Sequence, residues 1–212
     1  SWLLDAAIEL ADTNALSAYH YRIDNRDIPA FSTRTTGVSF DGDVTWSRLG
    51  IETVLGYRAE YARQTDATNN PFDFDADYLR GDLSLAALGR EIAVGREVLS
   101  GSSIPGGSLR TPLASSHDFN GWADRFTTTP DTGLIDDFVR FKASGGDWEF
   151  EARYHRFEAD AGSTDYGEEF DFRIGHRDDG NVRWDIMYAK FNGEPGFDDV
   201  KKFWVMLTIG AL

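Results

Sequence analysis

Apolar and polar side chains alternate with a period of two along most of this chain. Between Arg48 and Tyr61, odd positions carry Leu, Ile, Thr, Leu, Tyr, Ala and Tyr, whereas even positions carry mainly Arg, Glu and Gly. The same split recurs from Trp148 to His155 and, further on, from Val182 to Tyr188. A period of two is typical of a strand with one apolar and one polar face. The pattern therefore predicts an all-β, antiparallel protein.

The alternation predicts eleven strands separated by five short turns and five long loops. The expected strands are 2–10, 16–23, 32–40, 48–63, 77–87, 91–99, 135–143, 148–157, 166–175, 182–191 and 201–211. The expected short turns are Ala11 to Ala15, Asp41 to Asp43, Leu88 to Arg90, Ser144 to Asp147 and Arg177 to Asn181. Outer-membrane barrels have short periplasmic turns and longer outer loops. We therefore expect residues 1–212 to form one domain, an up-and-down transmembrane β-barrel.

A half-exposed sheet in a soluble protein gives the same alternation, since it buries its apolar face in a protein core. Aromatic side chains on apolar positions near strand ends, such as Trp148 and Tyr154, favour the aromatic girdles of a membrane barrel. A soluble antiparallel β-sheet binding domain stays open as the alternative.

Composition narrows the function classes. Hydrophobic residues make up 41% of the chain, and no apolar run approaches the about 20 residues that a membrane-spanning helix needs. Cysteine is absent, which excludes disulfides and thiolate ligands. The net charge of −15 argues against a nucleic-acid partner, because phosphates require clustered Lys and Arg. We expect no cofactor.

The strand count carries an expectation about the whole barrel. With eleven strands and the short turns on the periplasmic side, the first and last strands run in the same direction, so they cannot pair with each other in an antiparallel closure. Bacterial single-chain barrels have even strand numbers. We therefore expect an odd number of further strands before Ser1, preceded by a signal peptide, and the chain to form the C-terminal part of a larger barrel.

The polar positions of the strands are the candidate lining of a water-filled pore, and the two signs of charge are nearly balanced among them. These candidates are Arg48, Glu52, Arg58, Glu60, Arg80, Asp82, Arg140, Lys142, Glu149, Glu151, Arg153, Glu169, Asp171, Arg173, Arg183 and Asp185. They either orient passing ions or form solvated ion pairs that only keep the wall polar. Because the strand charges nearly cancel, we expect acidic loops at the mouth, which favour cations or divalent bridges to lipid headgroups.

The longest loop, 100–133, is too long for a simple connection and is expected to be functional. Its apolar residues favour folding inward as a constriction over forming an outer cap. The candidate constriction residues are His117, Asp118, Asn120, Trp122, Asp124 and Arg125.

Catalysis and metal binding find little support. Asp73, Asp75 and Asp77 alternate, but the central Gly and later Glu of a calcium-binding EF-hand loop are absent, so we expect no metal site. No hydrolase or phosphate-binding motif is present, and the four histidines are scattered. We expect no enzyme; an outer-membrane hydrolase is the less favoured alternative.

Several segments together resemble the C-terminal half of bacterial outer-membrane porins of the alginate-export-like family, and Asn120 to Asp124 is the most specific block. The segments are 57–64, 74–79, 111–114, 119–126 with 128–130, 154–160 and 202–204. The resemblance implies an outer-membrane channel in a Gram-negative bacterium. The chain departs from that family in ending at Leu212 instead of an aromatic residue and in lacking an obviously basic lumen.

These observations lead to the hypothesis of a passive outer-membrane porin for small hydrophilic or charged solutes. Its expected partners are outer-membrane lipid and a small-molecule or ionic solute. Solute identity and oligomeric state stay open.

Overall fold

The computed structural model describes residues 1–11, 13–112, 120–178 and 182–210. Eleven antiparallel strands in the described residues form one sheet in which each strand pairs with its neighbours in sequence. The strands are β1 (Trp2–Ala11), β2 (Asn14–Ile23), β3 (Thr33–Arg48), β4 (Ile51–Asp66), β5 (Asp75–Ala87), β6 (Arg90–Leu99), β7 (Leu134–Gly145), β8 (Trp148–Glu158), β9 (Asp165–Arg177), β10 (Val182–Gly193) and β11 (Val200–Ile209). The predicted all-β antiparallel meander of eleven strands is confirmed.

Short and long connections lie at opposite ends of the sheet. The turns after β1, β3, β5, β7 and β9 are short and share one end, which we call the turn end. The long connections after β2, β4, β6, β8 and β10 share the other, the loop end. Both β1 and β11 run from the loop end to the turn end, and each is hydrogen-bonded on one side only among the described strands.

One predicted turn was wrong. Asp41 and Asp43 lie inside β3, which continues to Arg48. The chain reverses at Leu49 and Gly50, whose φ angles of 56° and 78° fit the left-handed geometry of a two-residue hairpin turn. Alternation through Asp41 and Asp43 places both carboxylates on the polar face, so a polar stretch that looked like a turn is part of a strand.

The apolar face of the sheet is uncovered. Leu83, Leu79 and Phe203 are 54%, 50% and 64% exposed, although they lie mid-strand or opposite apolar neighbours. In the described residues, the only helix is a short 3-10 turn at Pro29–Phe31, and no second sheet faces this surface. A soluble sheet would need a cover here. Among the described residues, no helix is long and apolar enough to span a bilayer.

The apolar face has the height of an outer-membrane band. Along β4 it extends from Ile51 to Tyr61, ten residue steps of about 3.3 Å each. A strand tilted by about 40° converts that length into about 25 Å along the membrane normal, which is the height of the apolar band of such barrels.

The buried core lies on the opposite, polar face, near the loop end. Leu99, Leu134, Phe157 and Phe191 are at most 3% exposed and lie beneath the loop between β6 and β7. Among the described residues, the sheet is therefore covered only on its polar face, by the loop between β6 and β7.

Candidate functional site

Fifteen of the sixteen predicted pore-lining residues lie on the polar face. Register connects them directly: Arg58 is opposite Asp82, Lys142 is opposite Glu151, and Arg153 is opposite Asp171. The exception is Arg48, which lies opposite Ile51 on the apolar face at the turn end. Its prediction was wrong because the chain reverses after Arg48, which puts it in β3 rather than in β4.

Ion pairs lie along this face, some between strands and some between residues two apart on one strand. Arg183 contacts Glu149 at 2.7 Å and Asp185 at 2.9 Å, and Arg173 contacts Asp185 at 2.7 Å. Further pairs join Arg153 with Glu151, Arg140 with Glu91, Arg80 with Asp82, and Arg58 with Glu60. Partly exposed pairs of this kind contribute about 0 to 1 kcal/mol each. They therefore keep the wall hydrated and charged more than they stabilise the fold.

The segment from Asn120 to Phe126 packs onto the polar face through its backbone. The amide of Ala123 donates to Glu169 Oε1 at 2.7 Å, and the amide of Trp122 donates to Asp171 Oδ2 at 3.2 Å. The side-chain amide of Asn120 donates to Glu97 Oε2 at 3.0 Å. Each of these bonds joins the loop to a carboxyl group on strand β9 or β6. Strand carboxylates thus hold the loop against the wall.

The local sequence suits this path. Asn120, Gly121 and Asp124 have φ angles of 52°, 85° and 55°, in the left-handed region that Asn, Asp and Gly tolerate best. A Cβ atom on Gly121 would lie 2.6 Å from the carboxylate of Glu169, well inside ordinary contact. Glycine is therefore required here for conformation and for space, and its absence of a side chain lets the backbone reach the carboxylates.

Aromatic side chains complete the attachment. The ring of Phe126 lies 4.7 Å from that of Phe157 and 5.8 Å from that of Phe191, centroid to centroid. The guanidinium of Arg153 lies 5.0 Å from the ring centroid of Trp122, within cation–π range. Both ends of the segment are therefore packed against strands.

The remaining constriction candidates divide into three groups. Asp124 accepts a hydrogen bond from Lys202 Nζ at 2.6 Å. The guanidinium of Arg125 lies 5.4 Å from the ring centroid of Phe197 in the loop after β10. His117 and Asp118 lie outside the described residues.

The structure separates wall residues that contact solvent from those that hold the loop. Glu169 and Asp171 lie on the polar face as predicted, but the loop buries both completely. His155, which the sequence did not single out, is buried beside them, with Nδ1 2.8 Å from Asp136 Oδ1. In the sequence, His155 could have been identified only by its position among the alternating polar residues of β8. Glu169 and Asp171 therefore anchor the loop, and His155 lies between strand carboxylates beside them.

An open cavity of about 310 Å³ separates the other side of the loop from the wall formed by β2 to β6. Its lining includes Tyr19, Glu60, Tyr78, Arg110, Asp124 and Thr127. Charged and hydroxyl groups thus face open space between loop and wall.

An antiparallel meander with one exposed apolar face and one charged face, on which a long loop packs, has the architecture of an outer-membrane β-barrel wall. Solved structures of porins share this fold. The chain is similar to Acinetobacter baumannii OccAB2, with TM-score 0.68 and 16% identity over 96% of this chain and 54% of that one. It is also similar to Pseudomonas aeruginosa OccK5 (OpdH), with TM-score 0.67 and 15% identity over 97% of this chain and 57% of that one.

A third similar structure is Pseudomonas aeruginosa OpdQ, with TM-score 0.66 and 15% identity over 97% of this chain and 55% of that one. At these identities the likeness is one of fold. The chain spans about half the length of these structures. No family model and no curated protein matches the chain. The structural neighbours are outer-membrane porins of the Occ and Opd type and not alginate-export porins, so the expected resemblance holds for a porin-like barrel only.

Proposed function

We propose that this chain forms part of the wall of a passive outer-membrane channel for small hydrophilic or charged solutes. The loop segment from Asn120 to Phe126 narrows the aqueous path. The observation that carries the proposal is the contrast between the two faces. Nothing in the described part of the chain covers the apolar face, whereas buried carboxyl groups on the charged face hold a loop.

The two open sheet edges support a larger barrel. An unpaired edge leaves backbone N–H and C=O groups without partners in hydrocarbon, which costs several kcal/mol per group. Because β1 and β11 run in the same direction, antiparallel closure needs an odd number of strands between them. The roughly twofold greater length of the matched structures agrees with such additional strands. Reading the gene upstream of Ser1 tests this: an odd number of further amphipathic segments is expected, and an even number would contradict the closure.

Charge distribution supports passage of cations over large anions. The wall charges are mostly paired, whereas the described loops carry more carboxylates than cations; the loop after β10, for example, contains Glu194, Asp198 and Asp199 and no basic residue. Acidic groups at a channel mouth raise the local cation concentration. Reversal potentials in a KCl gradient are expected to indicate cation preference, and anion preference would contradict this assignment.

The decisive experiment is reconstitution of the purified protein into planar bilayers. Discrete conductance steps are expected from protein that shows heat-modifiable gel migration, the behaviour of a folded barrel. Folded protein that inserts into the bilayer and produces no conductance step would refute the channel.

A further inference from the structure

The apolar face ends at the loop end in a row of charged residues, which we call the boundary belt. It consists of Arg63, Asp77, Arg96, Asp137, Arg156, Glu168, Lys190 and Lys201, one on each strand from β4 to β11. The three arginines are all paired: Arg63 with Asp75, Arg96 with Asp137, and Arg156 with Glu158.

The belt crosses the sheet obliquely. Arg63 is opposite Asp77, while Arg96 is opposite Gly81, four residues closer to the turn end. From β6 to β10, direct partners connect Arg96 to Asn192, so the belt does not shift along the strands there. Lys190 then lies two residues closer to the turn end than Asn192. From β4 to β11 the belt therefore moves six residues toward the turn end over seven strand spacings. Relative to a line perpendicular to the strands, this is a slope of about 30°. Strands tilted in a bilayer produce this slope, so the belt marks a membrane boundary.

Lys190 and Lys201 differ from the rest of the belt. They face each other directly across β10 and β11, and neither has a carboxylate within 4.0 Å among the described residues. Two carboxylates of adjoining segments serve other donors: Glu168 accepts from the hydroxyl of Tyr154, and Asp199 accepts from the amide of Gly193. Like charges placed directly opposite each other are destabilising. Since no carboxylate of the described residues lies within 4.0 Å, nothing in the described part of the chain offsets the repulsion between these two lysines.

The surface below the two lysines is apolar. Two residues closer to the turn end, Tyr188 lies opposite Phe203, and the next outward pair is Ile186 and Val205. Phe203 and Val205 are exposed. A double cation above a continuous apolar strip matches a molecule with a phosphate above an acyl chain.

We propose that Lys190 and Lys201 form a binding site for the phosphate of a lipid headgroup, whose acyl chain lies along Phe203 and Val205. The proposal rests on the membrane placement of the apolar face under the proposed function. It adds a specific lipid site, which a channel does not require.

The test is titration of a short-chain fluorescent phosphatidylglycerol into protein held in a neutral detergent, followed by fluorescence anisotropy. Each lysine near a headgroup is expected to contribute about fivefold to affinity, so K190Q and K201Q each weaken binding about fivefold and the double variant about 25-fold. The double arginine variant K190R/K201R retains binding. K142Q is the matched control, since Lys142 lies on the polar face and the substitution removes the same charge.

Three results would overturn the site. The first is that the double glutamine variant binds the lipid as tightly as the wild type while showing the same heat-modifiable migration. K142Q could weaken binding as much as K190Q, which would indicate a general charge effect. Inorganic phosphate at equal concentration could displace the lipid, which would assign the site to free phosphate.

Conductance of the wild type, measured on the same preparation, separates this inference from the proposed function. Lysine-dependent lipid binding without conductance refutes the channel and leaves the lipid site standing. Conductance without lysine-dependent binding refutes the lipid site alone.

Discussion

Substitution of Gly121 by alanine is expected to release the loop from the wall. The new Cβ would lie 2.6 Å from the Glu169 carboxylate, and that side chain is fully buried and cannot swing away. Relieving the clash breaks the two hydrogen bonds from backbone amides to Glu169 and Asp171, each worth about 0.5 to 1.5 kcal/mol. A left-handed alanine adds about 1 to 2 kcal/mol. The total, about 2 to 5 kcal/mol, shifts the equilibrium toward a detached loop by at least about thirtyfold relative to the wild type.

Single-channel recording in planar bilayers measures the result. G121A is expected to give larger or more variable conductance steps than the wild type, because under the proposed function the loop that narrows the path no longer holds one position. The matched control is G50A, since Gly50 has a similar φ of 78° but no atom within 4 Å of its ideal Cβ. It carries the same backbone penalty without the clash, and its conductance should match the wild type. A folded G121A protein with wild-type conductance would refute the carboxylate-anchored constriction.

Two further predictions test the aromatic attachment and the two faces. F126A should expose the loop to limited proteolysis at lower protease concentration, because the contacts with Phe157 and Phe191 are lost, whereas F126L should resemble the wild type because leucine keeps most of the apolar packing. Equal cleavage of both variants would contradict the packing role of residue 126. L83R should lower the free energy of unfolding in lipid vesicles, measured by denaturant titration, by about 2 to 4 kcal/mol. S84R, one residue along on the polar face, should change it by less than about 1 kcal/mol. Equal losses would show that the two faces are not exposed to different solvents.

The strands and their faces follow from sequence because both are local properties. Alternation between Ile51 and Tyr61 decides which side chains share a face, since successive side chains of a strand point in opposite directions. The same local reasoning failed at Asp41 and Asp43, where the carboxylates of a polar face look like the polar residues of a turn. Arg48 followed that error, because an early turn moved it into the wrong strand.

The role of the buried carboxylates was decided by tertiary structure. Glu169 and Asp171 alternate like the other polar residues of β9, so their sequence is that of a solvated wall. What buries them is a backbone segment 46 and 49 residues away in the chain, whose amides supply the hydrogen bonds. The alternation of apolar and polar residues shows which face of the sheet a side chain occupies. It carries no information about what covers that face, because the covering loop has no periodicity and its position depends on contacts between distant parts of the chain.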